Sequence, residues 1–239
     1  MTTRIDEIAP DVYRLSTFVA AVNPPHGFTF NEFLIKGDEP LLFHAGHRRT
    51  FPSVAEAVAR VLPLDRLRWV SFSHVEADEC GALAQWLDAA PAATPAHTVV
   101  GCRIWIGDAV DRPPRALKDG EVLDLGGHRV RHLATPHLPH GWDAGLMFDE
   151  TTATLFCSDL FAQGGDGPAV TESDVLGPGI AAEERSQSMS LTPETAPNLR
   201  RLAALRPKTL ALMHGPTYRG DGAALLSGLA DHCARKLAG

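Results

Sequence analysis

The chain has 239 residues, 44% hydrophobic and 21% charged, with 22 Lys and Arg against 29 Asp and Glu. That composition suits one full core at the larger end of the single-domain range and is too ordinary for a disordered chain. A formal net charge of −7 argues against a surface built mainly to hold nucleic acid or anionic membrane. No apolar run is long enough to span a bilayer, and Met1-Thr2-Thr3-Arg4-Ile5-Asp6-Glu7 lacks the apolar core of a signal peptide. Cys80, Cys102, Cys157 and Cys233 are scattered, with no Cys-x-x-Cys pair, so neither a disulfide framework nor a thiolate metal site is indicated. The expectation is one cytoplasmic domain over residues 1–239.

The first third reads as strands. Val12–Val22 and Phe30–Lys36 are rich in β-branched and aromatic residues, and Pro40–Phe43 opens a third short run. Asn23-Pro24-Pro25-His26-Gly27 is a turn that cannot continue a ladder. After Thr50 the period changes: Val54, Val58, Val61 and Leu62 fall on one helical face, with Thr50 or Ser53 as candidate caps. Trp69–Phe72 is a short buried strand, and Gly81–Leu87 turns helical. The middle adds two hairpins. Glu121–Leu125 and His128–Leu133 flank Gly126-Gly127, and Gly145–Phe148 and Ala153–Cys157 flank a polar turn. Residues 164–190 are polar, with many Gly and Pro, and are expected to form a lid or binding loop. Thr192 and Pro193 then start a helix with Leu199, Leu202 and Leu205 on its buried face, stopped by Pro207. Thr209–Met213 is a strand and Ala223–Leu237 a closing helix. Hairpins mixed with βα units favour two sheets with helices outside over one doubly wound sheet.

The sharpest chemical feature is Ser73-His74-Val75-Glu76-Ala77-Asp78-Glu79, where a buried strand ends and potential metal ligands follow on alternate residues. Alternate spacing in an extended turn lets side chains converge, and loops at strand ends are where sites are built. Taken alone, the acids also suit the first turn of a helix electrostatically. Three more polar groups occur where apolar strands end. They are Pro136-His137-Leu138-Pro139-His140-Gly141-Trp142-Asp143, Ser158-Asp159 and His214-Gly215-Pro216.

These motifs, in this order, resemble the metallo-β-lactamase superfamily, whose fold is a four-layer αββα sandwich (α/β, or α+β) with a dinuclear metal site at one edge. The resemblance runs from Phe30-Asn31-Glu32-Phe33-Leu34-Ile35 to His214-Gly215-Pro216. Hydrolases of the superfamily carry His-x-His-x-Asp-His, whereas the diiron domain of flavodiiron proteins and their stand-alone oxygen-binding relatives carry His-x-Glu-x-Asp. This chain has Glu76 in the diagnostic place and is closer to the diiron branch. The resemblance implies that His74, Glu76 and His140 hold one iron, that Asp78 and His214 hold the other, and that Asp159 bridges them. His140 is preferred to His137 because His140-Gly141-Trp142-Asp143-Ala144 resembles the family's His-Trp-Pro-Asp-Ser. His26, Glu79 and Tyr218 are candidates for positions just outside the ligands. At Glu79, where many relatives have His, a plain helix-start acid is favoured over a supporting partner or extra oxygen ligand. The remaining His residues, His44, His47, His97, His128, His132 and His232, match no ligand position and read as ordinary surface or core residues.

Three His and three carboxylates make a hard, anionic donor set suited to two Fe ions, with Mn or Zn also possible. The resemblance implies a non-haem diiron protein that binds or reduces O2 or NO. With no Gly-rich phosphate loop and no room for a flavodoxin domain before Gly239, electrons are expected from a separate donor protein. The alternatives are a metal-dependent hydrolase of a thioester, lactone or phosphoester, and a non-catalytic oxygen sensor. Relatives often form homodimers, but no residue pattern marks an interface.

Overall fold

The computed structural model describes all 239 residues. The chain begins with β1 (Thr3–Ala9), β2 (Val12–Val19), β3 (Phe28–Ile35) and β4 (Leu41–Phe43), then α1 (Phe51–Ala59) and β5 (Trp69–Ser71). Next come α2 (Ala77–Cys80), α3 (Leu83–Ala89), β6 (Thr94–Thr98), the helical turns α4 (Val99–Gly101), Cys102–Ile106 and α5 (Gly107–Ala109), and β7 (Arg115–Leu117). These seven strands form one sheet in sequence order. The second sheet takes β8 (Val122–Asp124), β9 (Arg129–Ala134), β10 (Gly145–Asp149), β11 (Thr154–Ser158), β12 (Val170–Thr171), β13 (Thr209–Leu212) and β14 (Thr217–Arg219). Its order is β12-β14-β13-β11-β10-β9-β8. The remaining helices are α6 (Leu176–Ser186), α7 (Thr195–Ala203) and α8 (Gly222–Ala238).

Strand periodicity builds the four layers. Alternate residues of β3 face opposite ways: Phe33 and Ile35 join Phe43, Met147, Phe156 and Ala211 between the sheets, and Leu34 joins Leu15, Leu42, Val58 and Trp86 under α1 and α3. A third cluster packs α7 and α8 on the second sheet through Leu199, Leu202, Leu226 and Leu229. All four cysteines are buried free thiols, and no helix is long and apolar enough to cross a membrane.

Several expectations change. β1 is an edge strand whose Arg4, Asp6 and Glu7 hide its period, since one face of it is wet. β2 stops at Val19 rather than Val22. The expected helix at Gly81–Leu87 begins at Leu83 and runs to Ala89 as α3, and the separate short helix α2 precedes Gly81. Residues 164–190 are not loop throughout, because α6 occupies Leu176–Ser186. Its Gly177-Pro178-Gly179 start carries no helix signal. It forms because Leu176 and Ile180 pack on the second core and a Cβ at Gly179 would meet the Phe161 backbone at 2.8 Å. Tertiary contact overrides propensity here. Helix α7 begins at Thr195, not Pro193, after a turn in which Glu194 N donates to Thr192 Oγ1.

Candidate metal centre

The site assembles because four strands end on one edge. β9 and β11 each lie antiparallel to β10, and β11 is parallel to β13. The three therefore run the same way and release His140, Asp159 and His214 on the same side. Register slips between Phe156 and Ser158, and Ser158 takes a φ of 52°. Such a bulge re-aims the side chain that follows it, here Asp159. On the facing sheet β5 ends at Ser71, and the next loop carries His74, Glu76 and Asp78. Gly145 N donates to Ser73 O at 2.8 Å and Asn31 N to Met213 O at 3.0 Å, tying the two edges together. The extended turn reaches only Glu76, the residue capping α2, and Asp78 lies in the first turn of that helix.

Six side chains meet there in two lobes. His74 Nε2 lies 3.0 Å from Glu76 Oε2 and 3.5 Å from Asp159 Oδ2. His140 Nε2 lies 2.9 Å from the same Glu76 oxygen and 3.6 Å from the same Asp159 oxygen. The other Asp159 oxygen, Oδ1, is 3.2 Å from His214 Nε2, which is 3.4 Å from Asp78 Oδ2. Donor atoms that each sit about 2.1 Å from one ion lie about 3 Å from one another, so these spacings fit metal ligation. A set of three imidazole nitrogens and three carboxylates fits two hard or borderline cations, and Asp159 offers one oxygen to each lobe.

Neighbouring groups hold these side chains in place. His214 Nδ1 donates to Thr29 O at 2.8 Å, which turns Nε2 toward Asp78 and Asp159. Gly215 N donates to Thr29 Oγ1, while Asn31 Nδ2 and Arg14 Nη2 donate to Gly215 O. Asp143 Oδ2 accepts from Val75 N at 3.0 Å and lies 3.2 Å from His97 Nε2. Gly141, at φ 80°, lets the His140 loop close over His74, since a Cβ there would meet the His74 Cβ at 3.2 Å.

Glu79 is not an exposed helix-start acid. It is wholly buried beneath His74. Oε1 accepts from Ser73 Oγ at 3.0 Å and Ser158 Oγ at 2.7 Å, Oε2 accepts from Ser73 N at 3.0 Å, and Oε2 also contacts His44 Nδ1. Ser73 Oγ in turn lies 2.7 Å from His74 Nδ1. His44, Ser73 and Ser158 were invisible as partners because their sequence positions give no sign of sharing one carboxylate. His97 likewise proves to be more than filler, braced against Asp143. His137 is exposed and turns away, His26 sits on the exposed 23–27 turn, and Tyr218 packs against the second core. None of these three joins the cluster.

Charge at the site follows from burial and proximity. Burial disfavours a charged His74, but Glu79, Glu76 and Asp159 outweigh it and raise its pKa to about 9. Burial of His214 is outweighed by Asp159 and Asp78, which raise it to about 10. Contacts with His140 and His74 hold the Glu76 carboxyl well below its ordinary range. Without metal, both His residues are thus cations below about pH 9. The stability this lends is complete below about 6.5, the unfolded value, and is lost as pH rises through the folded values. Two ions filling the two lobes would displace one proton each, from His74 and from His214. The affinity for each ion is therefore expected to rise with pH, by up to about tenfold per unit between pH 7 and 9. Competition titrations with a chelator at several pH values measure it, and a pH-independent affinity would contradict the charge assignment.

A family model described as ODP family beta lactamase matches residues 28–175, more than half of the chain. The chain belongs to this family. The match includes five of the six clustered residues, and His214 falls beyond it. Among relatives of this ODP-family chain, "Putative diflavin flavoprotein A 1" of Thermosynechococcus vestitus is 30% identical over 200 residues, covering 81% of this chain and 35% of that protein. Flavo-diiron protein FprA2 of Clostridium acetobutylicum is 25% identical over 149 residues, covering 61% of this chain and 37% of its own. The chain spans about a third of the length of the curated relatives it matches. In fold it is similar to rubredoxin oxygen:oxidoreductase from Desulfovibrio gigas, with a TM-score of 0.82, 17% identity, and coverage of 95% of this chain and 62% of that one. The ODP-family chain thus has the metallo-β-lactamase-like core found in flavodiiron proteins.

Proposed function

We propose that this protein is a non-haem diiron protein that binds or reduces O2 or NO, with electrons from a donor outside these 239 residues. His74, Glu76 and His140 would hold one iron, Asp78 and His214 the other, and Asp159 both. The observation that carries the reading is Glu76 Oε2, set 3.0 Å from His74 Nε2 and 2.9 Å from His140 Nε2. A carboxylate there in place of a neutral imidazole adds a negative charge that favours a ferric over a ferrous state. Iron held in this way would supply one-electron chemistry toward a diatomic gas. Asp159 screens the two cations from each other. Phe28, its ring centroid 4.3 Å from that of His214, and Phe30, at 5.2 Å, present an apolar wall that keeps water off that side.

The test is metal content of protein made without added metal, then anaerobic reduction and rapid mixing with O2. About two iron ions per chain and a new visible band are expected, and the lifetime of the band separates sensing from turnover. Zinc instead, with no optical change and with hydrolysis of a thioester, lactone or phosphoester, would overturn the proposal in favour of a hydrolase. Glu76→His is expected to lose the oxygen response while admitting zinc.

A further inference from the structure

The candidate centre lies at the floor of a cavity of about 550 Å³. A diatomic gas needs little more than the roughly 30 Å³ of one water molecule, whereas cavities of several hundred Å³ accommodate organic molecules. The space exceeds what the gas chemistry requires. Its lining is also divided. Val22, Phe28 and Phe30 make an apolar flank, while Arg185, Ser186 and Ser188 come from the C-terminal end of α6 and the turn after it. Arg185 is the only cationic side chain other than histidine among the lining residues.

Arg185 is exposed, and neither Glu183 nor Glu184 forms an ion pair with it. Glu183 Oε2 accepts from Ser188 Oγ at 3.0 Å and from Met189 N at 3.1 Å. Ser186 Oγ and Ser188 Oγ lie 3.1 Å apart, and both residues line the same cavity as Arg185. Across the cavity two divalent ions would balance the charges of Glu76, Asp78, Asp159 and the buried Glu79 while presenting the cations themselves to the cavity. An occupant would then meet metal cations at one end, the Arg185 guanidinium elsewhere in the lining and the apolar side chains of Val22, Phe28 and Phe30.

We infer that this cavity is a binding subsite for a small organic anion, a carboxylate or phosphate monoester on an apolar or aromatic body, with its head paired to Arg185 and its body along Phe28. A planar fork of donors suits either head group. The inference rests on the metal-centre reading above, in that the bound metals would offset the carboxylates that otherwise repel an anion. It does not depend on which metal is present.

The experiment is isothermal titration of the metal-loaded protein, prepared separately with iron and with zinc. The probes are phenylacetate, phenyl phosphate, neutral 2-phenylethanol and inorganic phosphate. At least one aromatic anion is expected to bind about tenfold or more tighter than 2-phenylethanol and than inorganic phosphate. Arg185→Gln is expected to abolish the advantage over the alcohol while metal content, which reports on folding, stays unchanged. Equal binding of alcohol and anion, inorganic phosphate binding as well as phenyl phosphate, an unaltered profile in Arg185→Gln, or no heat at millimolar ligand would each overturn it. Binding by the zinc form of a protein that proves inert to oxygen would leave the subsite standing and remove the gas-chemistry proposal instead.

Discussion

If the centre is the proposed diiron site, Asp159→Ala is expected to empty it, with iron falling from about two ions per chain to well below one. The reason is the shared position of that carboxylate. Its Oδ1 lies 3.2 Å from His214 Nε2, and its Oδ2 lies 3.5 and 3.6 Å from the nitrogens of His74 and His140. Removing it leaves only Asp78 and His214 for one ion, too few to retain it against a chelator. It also removes the negative charge between two cations, so the three remaining donors of the other lobe bind more weakly. Glu76→Ala makes the informative partner, since it takes a donor from one lobe only and is expected to leave about one ion per chain. Metal analysis of both variants after dialysis decides the matter. Two ions retained by Asp159→Ala would show that the carboxylate does not bridge.

Glu79→Ala is expected to destabilise the metal-free protein by about 3–5 kcal/mol, the cost of removing one partner from a buried charged network. Four donors lose their acceptor together: Ser73 N, the hydroxyls of Ser73 and Ser158, and His44. For a domain of this size the loss corresponds to a fall in Tm of roughly 10 °C. Glu79→Gln keeps the shape and part of the hydrogen bonding, and is expected to lose about half as much. The sign of the pH dependence is also set. Burial raises the Glu79 pKa, but His44 and His74 outweigh it and hold the carboxyl well below its ordinary value. The stability it contributes is therefore complete above about pH 4.3, the unfolded value, and is lost as pH falls further. Thermal denaturation from pH 7 to pH 3 should show the wild type and Glu79→Ala converging in acid. Parallel curves would mean that Glu79 has the same pKa folded and unfolded, and a wild type that gains on the variant as pH falls toward about 4.3 would mean that Glu79 is neutral in the folded protein.

How much was legible in the sequence differs between the two kinds of side chain at this centre. The residues proposed as ligands follow strand ends, and each sits in a short motif whose polar residues interrupt an apolar run, so their chemistry shows locally. The choice of His140 over His137 rests on a motif alone; the structure sets His140 against Glu76 and leaves His137 exposed. The residues behind the ligands have no such mark. Thr29 and Asn31 brace His214 from another strand, and His44 reaches Glu79 across 35 positions. The covering helix shows the same limit, because α6 owes its helix to the surfaces it touches rather than to its Gly-Pro-Gly start.

The sequence by itself determined the layers and the edge. Period-two apolar runs produce two sheets, period-3.6 faces produce the helices outside them, and the polar breaks place His, Glu and Asp where strands stop. Only the tertiary structure decided that Asp159 faces both lobes, that Glu79 is a buried charge and that Arg185 looks into the same cavity. Each of these depends on distances between segments far apart in the chain, and such distances are set by how the sheets and helices pack rather than by any local preference of the residues concerned.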